Sequence, residues 1–191
     1  VVMVTPDTER TMHTYLGVSA VLHPDNVDAT IVKNSRMVYI EGYLWTGDET
    51  RQAALRVTEI AKKAGIPVAF TLSDAFVANN FKSALIDFIR WNVNILFCNE
   101  VEGLALMDTD DPDTAFTLLQ AMSDTVFFTR GKNGAWAATT GQPITHAAAF
   151  PVKAVDTTGA GDLFAAGALY GLIKKHSLKE SAIIGSYCAA Q

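Results

Sequence analysis

Residues 94–102 read NILFCNEVE, and this short stretch decides the fold class. Asn94–Cys98 is an almost unbroken apolar run of strand length. Asn99 then stands where a helix would start, and Glu100 and Glu102 place negative charge in its first turn, where unpaired N–H groups favour it. A buried strand that runs straight into a helix is half of a βαβ unit. The flanking sequence repeats the pattern. Upstream, Pro67–Leu72 (PVAFTL) is another buried run, Ser73-Asp74 can cap, and Phe76–Trp91 carries Phe81, Leu85, Phe88 and Ile89 on one helical stripe. Before it, Met37–Glu41 (MVYIE) ends at Gly42. Asp48–Gly65 follows with Ala54, Leu55, Val57, Ile60 and Ala61 at helical spacing, and Gly65 as a stop. Downstream, Glu100–Met107 and Asp113–Met122 read as short helices around the acidic turn Asp108–Asp111, and Thr125–Thr129 (TVFFT) is a further strand. Such alternation with short connections predicts a mostly parallel sheet covered on both faces.

After Gly131 the character changes. Ala135–Thr140 and Ile144–Phe150 read as two strands joined through Gly141-Gln142-Pro143, a hairpin at one edge. A helix from Gly161 to His176 and another from Leu178 close the chain. At the other end, Val1–Thr5 reads as a strand, Pro6-Asp7 as a turn, and Arg10–Gly17 as a returning strand. The chain opens on Val1 with no initiator Met and stops at Gln191 inside a helical pattern. The expectation is a fragment of something longer.

Bulk numbers narrow the function classes. The 191 residues are 49% hydrophobic and 18% charged, which suits one globular unit rather than a disordered chain. A net charge of −5 offers no footprint for nucleic acid or an anionic membrane. Cys98 and Cys188 lack CxxC or Cys/His spacing, so neither a zinc site nor a disulfide framework is indicated, and a reducing cytoplasm is expected. The longest apolar stretch, Leu163–Ile173, is too short for a bilayer. GxxxxGK[ST] and GxGxxG are absent, as is a GxSxG elbow, and the histidines do not cluster.

Three motifs fall just beyond strands, where open α/β sheets bind ligands. Asn99-Glu100-Val101-Glu102 can cap a helix, or it can serve a hydrated Mg²⁺ through oxygen ligands. Thr129-Arg130-Gly131-Lys132-Asn133-Gly134 can be a hairpin turn, or a backbone that approaches a nucleotide closely. Residues 155–164 (VDTTGAGDLF) carry the most chemistry. A Gly-rich turn opening a helix leaves N–H groups aimed outward at the positive end of the helix dipole, a place for phosphate. A carboxylate at the same end can take a proton from a hydroxyl, and the pair is the minimum kit for phosphoryl transfer to an alcohol. The bland alternative is an ordinary loop, with Ala165, Ala166, Gly167, Ala168 and Gly171 allowing close helix packing.

The run DTTGAGDLF resembles the C-terminal signature of the PfkB (ribokinase-like) carbohydrate kinases. NEVE matches the family pattern NxxE and TRGKNG matches TxGxxG, in the same order. The resemblance covers nearly all of the chain. ERTMHTYLG, IEGYLW, FTLSDAF and ILFCNEVEGL look most like adenosine-kinase-like or sugar-kinase members. The resemblance implies a ribokinase-like three-layer α/β/α fold with a mostly parallel sheet. Residues 1–20 would be a partial β lid and residues 21–191 an incomplete nucleotide-binding core. It implies ATP and Mg²⁺, with transfer of the γ-phosphate to a hydroxymethyl group of a nucleoside such as adenosine, or of a sugar such as ribose, fructose or a keto-deoxy sugar. A non-catalytic nucleotide sensor and a ligand-free α/β domain are the alternatives.

By the same resemblance, Asp162 is the catalytic base, and the amides of Gly159, Ala160 and Gly161 form an anion hole. Asn99 and Glu102 order Mg²⁺ and its waters, and Thr129, Gly131 and Gly134 line the ATP site. Asp156 and Thr158 help hold a monovalent cation (K⁺), as in some members. Arg10, Met12 and Tyr15 are the lid remnant and Glu41-Gly42-Tyr43 borders the acceptor. The family's N-terminal acceptor-binding segment and its C-terminal end have no counterpart in these 191 residues. The implied partner is a small molecule, and the chain would be a monomer or a homodimer through the lid, with no nucleic acid and no membrane.

Overall fold

The computed structural model describes residues 1–5 and 10–191, so the turn expected at Pro6-Asp7 lies outside the described residues. Strands β1 (Val2–Val4) and β2 (Arg10–Met12) pair antiparallel as a small separate sheet. The strand expected over Arg10–Gly17 is therefore shorter, and Gly17–Val21 turns as a 3-10 segment. A second such segment, Pro24–Asn26, leads to the short helix α1 (Ala29–Lys33), capped by Asp28.

The main body is a six-stranded sheet in simple sequence order. β3 (Val38–Glu41), β4 (Val68–Thr71), β5 (Ile95–Asn99) and β6 (Thr125–Thr129) run parallel, while β7 (Ala135–Thr139) and β8 (Thr145–Ala147) add an antiparallel edge. Crossovers between parallel strands are right-handed, so strands added always on the same side put their connecting helices on one face. That face holds α2 (Asp48–Lys63), α3 (Ala75–Asn80), α4 (Lys82–Asn92), α5 (Glu100–Met107) and α6 (Pro112–Gln120). Their buried side chains, among them Ile60, Leu85, Ile89, Leu106 and Phe116, pack with Val68, Phe70, Leu96, Val126 and Phe128 of the strands. α7 (Ala160–Ile173) and α8 (Leu178–Ala189) cover the opposite face through Phe164, Ala165, Ala168 and Ala182, set against Phe97, Phe127, Ala135 and Ala137. The result is three layers, as the alternation of apolar strands and amphipathic helices predicts. Among the described residues no helix is long and apolar enough to cross a membrane.

One expected helix is two. The stripe read over Phe76–Trp91 breaks at Phe81 (φ −120°, ψ 21°), which ends α3 and starts α4. Asn79 and Asn80 precede the break. Asparagine competes with the helix for backbone bonds, and Asn80 Nδ2 donates to the Phe76 carbonyl at 2.8 Å. The small residues of α7 do allow close packing. A methyl at Gly167 would lie 2.9 Å from Cys188 Sγ, and one at Gly171 would lie 2.6 Å from Ser181 Oγ, both on α8.

Candidate active site

The carboxyl ends of β3, β4 and β5 lie side by side, and a carboxylate stands at or shortly beyond each. Glu41 is the last residue of β3 and is paired with Thr71 of β4. Ser73 Oγ accepts a hydrogen bond from the Gly42 amide at 2.9 Å, which ties the two strand exits together. Ser73 itself has φ +68°, a left-handed conformation that a side chain rarely adopts. Asp74 follows and caps α3, Oδ1 accepting from the Phe76 amide at 2.6 Å.

Asn99 ends β5 and is the N-cap of α5. Its Oδ1 accepts from the Glu102 amide at 2.8 Å, and Glu102 Oε2 accepts from the Asn99 amide at 3.0 Å, a reciprocal capping box. Asn99 Nδ2 also donates to Glu102 Oε1 at 2.7 Å. The capping reading of this motif is therefore what the local geometry displays. The box nevertheless holds an acid where an acid is costly. Glu102 is 6% exposed, and its carboxyl is pushed up to about 7, chiefly by burial, with the Asp74 and Asp162 charges adding to it.

Asp162 sits in the first turn of α7. Two residues on, Phe164 packs against Phe127 with ring centres 6.0 Å apart and pins the helix to the sheet. A two-residue offset turns Asp162 about 200° around the helix, away from that contact, and its side chain is exposed. Its carboxylate lies back over the glycine turn, Oδ2 4.0 Å from where a methyl on Gly159 would stand. Its charge helps to raise the carboxyl of Glu41, after burial, as well as that of Glu102. Tyr39, two residues before Glu41 on the same face of β3, has its hydroxyl raised first by burial and then by Asp162 and Glu41. The charges acting on Tyr39, Glu41 and Glu102 are all carboxylates.

The turn before α7 is built by Gly159 at φ +79°, ψ 0°, the geometry of the second central residue of a type II turn. The Ala160 amide closes that turn on the Thr157 carbonyl at 3.2 Å. Of the three amides expected to form an anion hole, those of Gly159 and Gly161 have no protein acceptor among the described residues, whereas Ala160's has one. A methyl built on Gly161 would meet nothing within 4 Å, so the backbone there is open to a ligand. Asp156 Oδ1 accepts from the Thr158 amide at 2.8 Å, a local turn bond that uses one of the oxygens expected to face a monovalent cation.

Thr129 ends β6 as the register partner of Asn99, so the NEVE and TRGKNG motifs adjoin. In the β6–β7 loop, Gly134 has φ +82°, and a methyl on it would lie 2.1 Å from the Ala147 carbonyl oxygen. That glycine is required by the chain's own packing. Gly131 has open space around it. Met12 and Tyr15, expected in the lid, are exposed and lie outside the six-stranded sheet, and Tyr43 is exposed beside Gly42. Sequence reasoning did not single out Tyr39 and Asp74, whose charge coupling to Asp162 and Glu102 the fold creates. Both were visible only as a strand residue and a cap, although Asp74 occupies the same place after β4 that Asn99 approaches after β5. The open grooves of about 300 and 400 Å³ lie elsewhere, between α2 and α4, and contain none of the motif residues.

A family model described as pfkB family carbohydrate kinase matches residues 1–191. The chain belongs to the pfkB family of carbohydrate kinases. A probable sugar kinase from Rhizobium etli has the same fold, with TM-score 0.95 and 37% identity over 99% of this chain and 58% of its own. Adenosine kinase from Sinorhizobium meliloti follows at TM-score 0.94 and 36% identity, over 98% of this chain and 58% of its own. Among curated proteins, 5-dehydro-2-deoxygluconokinase of Clostridium perfringens is 27% identical over 88% of this chain and 52% of that protein. The chain thus spans about half the length of the curated relatives it matches. The ribokinase-like α/β/α fold expected from the motifs is the fold found.

The residues present fit ATP and Mg²⁺. Gly131 and Gly161 leave backbone that a side chain does not cover, and Glu102 offers the hard oxygen that Mg²⁺ takes. Among the described residues no group of three or more His, Cys, Asp or Glu could cage a metal ion. A hydrated ion shared with phosphates is the state such a donor set suits.

Proposed function

We propose that this chain carries the nucleotide-binding and catalytic core of a kinase that moves the γ-phosphate of ATP to a hydroxymethyl group of an uncharged nucleoside or sugar. One observation carries the reading: the exposed Asp162 carboxylate stands beside the open Gly159 and Gly161 amides, and its charge reaches Glu41 at the end of β3 and Glu102 in the first turn of α5. In this reading Asp162 accepts the proton of the acceptor hydroxyl as its oxygen bonds to the γ-phosphorus and the bond to the ADP oxygen breaks. The two amides and the N-terminus of α7 face the charge on the transferred group and need no reorganisation to do so. Glu102, held by Asn99, would orient Mg²⁺ through its water, and Thr129 and Gly131 would border the nucleotide. Bound Mg²⁺ supplies charge neutralisation of the phosphates. Residues 1–20 form part of a lid, and Glu41 lies on the acceptor side.

The relatives divide between a neutral acceptor, adenosine, and a sugar acid, 5-dehydro-2-deoxygluconate. The carboxylates of Glu41, Asp74 and Asp162 favour the neutral class, since an acceptor carboxylate brought among like charges is repelled. The test is acceptor-dependent ADP release by the intact protein with MgATP and a panel of adenosine, other nucleosides, ribose, fructose and sugar acids. The proposal expects a neutral acceptor to be turned over best. A sugar acid as best acceptor refutes the neutral preference. ATP binding with no acceptor phosphorylated supports a sensor instead.

A further inference from the structure

We infer that Arg130 is a positioning residue that locks the two nucleotide-side motifs to each other through Glu100, and that it is not itself a phosphate ligand. The inference rests on the kinase reading above and concerns the variable positions of both motifs. α5 lies directly on the sheet at Gly103, where a methyl would come 2.5 Å from the Phe128 ring. One turn back along α5 stands Glu100. Two residues on from Phe128, one residue past the end of β6, stands Arg130. The contact at Gly103 thus delivers the two side chains to each other, and Arg130 Nε donates to Glu100 Oε2.

The guanidinium is held on a second side as well. Its Cζ lies 4.0 Å from the centre of the Trp136 ring, and Trp136 is itself buried and stacked on Phe128 with ring centres 5.8 Å apart. The Arg130 and Glu100 side chains are only 19% and 32% exposed, so solvent screens the pair weakly. Arg130 also anchors its own loop. Its amide donates to the Gly134 carbonyl at 2.7 Å, and its carbonyl accepts from the Asn133 amide at 3.0 Å. The immediately preceding residues, Asn99 and Thr129, are register partners. One ion pair therefore sets the position of Gly131 relative to Asn99 and Glu102. An arginine beside a glycine in a nucleotide loop invites assignment to phosphate. Here one face of the guanidinium lies on the Trp136 ring and Nε is bonded to Glu100, which leaves only the Nη groups to reach a ligand.

A double-mutant cycle in the intact protein separates the two roles. Arg130→Gln, Glu100→Gln and the double variant are compared for MgATP affinity by calorimetry, for KM of MgATP and of the acceptor, and for Tm. Positioning through Glu100 predicts that each single change weakens MgATP about 10-fold. It also predicts an acceptor KM within about 2-fold of wild type, and a double variant no worse than the worse single. Arg130→Lys, which keeps the charge and loses the planar fork, should recover little. Independent, additive losses, or a loss in Arg130→Gln with none in Glu100→Gln, would overturn the inference in favour of direct phosphate contact. Lower Tm with unchanged MgATP affinity would overturn it in favour of simple scaffolding. Should Arg130→Gln fail to fold, Glu100→Gln carries the same test from the first turn of α5. A wild-type protein that does not bind MgATP refutes the kinase reading and this inference with it. Binding that the variants leave unchanged refutes only this inference.

Discussion

Glu102→Gln should make the protein more stable above neutrality and less active. Unfolded, Glu102 ionises near its ordinary 4.5, whereas folded it keeps its proton to about 7. Between those values the folded state holds a proton that the unfolded state has lost, so stability falls as pH rises through this window. A displacement of that size corresponds to about 3 kcal/mol, fully expressed once the pH exceeds the folded value. Glutamine fills the same space, keeps the bond from the Asn99 amide and does not titrate; it gives up the bond from Asn99 Nδ2, a loss that does not vary with pH. The stability of Glu102→Gln relative to wild type should therefore climb by about 3 kcal/mol between pH 4 and pH 8.5, with the midpoint of the climb near pH 6. For a chain of this size that is a relative Tm gain of roughly 6–12 °C. Urea unfolding of both proteins across this pH range measures the difference directly. A difference that stays flat with pH refutes the argument, because the carboxyl would then have the same proton affinity folded and unfolded. In the kinase reading the same variant loses about 10- to 100-fold in kcat/KM, as removal of an outer-sphere metal partner does.

Gly161→Ala should leave stability unchanged or raise it by up to about 1 kcal/mol, since the new methyl meets nothing and alanine favours helix. Turnover should fall about 100-fold, because that methyl would stand where the phosphate approaches the backbone; kinetics beside a melting curve checks both halves. Gly134→Ala makes the opposite test. Its methyl would meet the Ala147 carbonyl at 2.1 Å in a left-handed conformation, and urea unfolding should show a loss of about 2–4 kcal/mol. Glu41→Gln should raise the acceptor KM about 10-fold and narrow the gap between neutral and anionic acceptors while leaving the KM of MgATP unmoved, as matched kinetic titrations would reveal.

Much of the fold was legible because the signals are local. The strand runs PVAFTL, NILFC and TVFFT are short, apolar and bounded by caps, and a chain that alternates them with amphipathic stripes has few other ways to bury both. The segment 17–36 was not legible. Its 3-10 turns and the five-residue α1 offer little periodicity, although Pro24 and Asp28 mark their starts. The break at Phe81 was also missed, since an apolar stripe continues through it and only the adjacent asparagines hint at it. At the candidate site, the glycine turn that opens α7 with Asp162 in its first turn was readable from six consecutive residues. Tyr39, Asp74 and the Arg130–Glu100 pair were not, because they become significant only when strands far apart in sequence bring their ends together. The Asn99–Glu102 motif shows why capping and site readings compete on the sequence alone: the same hydrogen bonds that end the strand and start the helix also hold the acid in place.

The most direct test joins binding to chemistry at one side chain. Asp162→Asn in the intact protein should bind MgATP within a few-fold of wild type by calorimetry and lose acceptor-dependent ADP release by at least about 100-fold. Near-normal turnover in that variant would contradict the placement of the phosphoryl-transfer base at the start of α7.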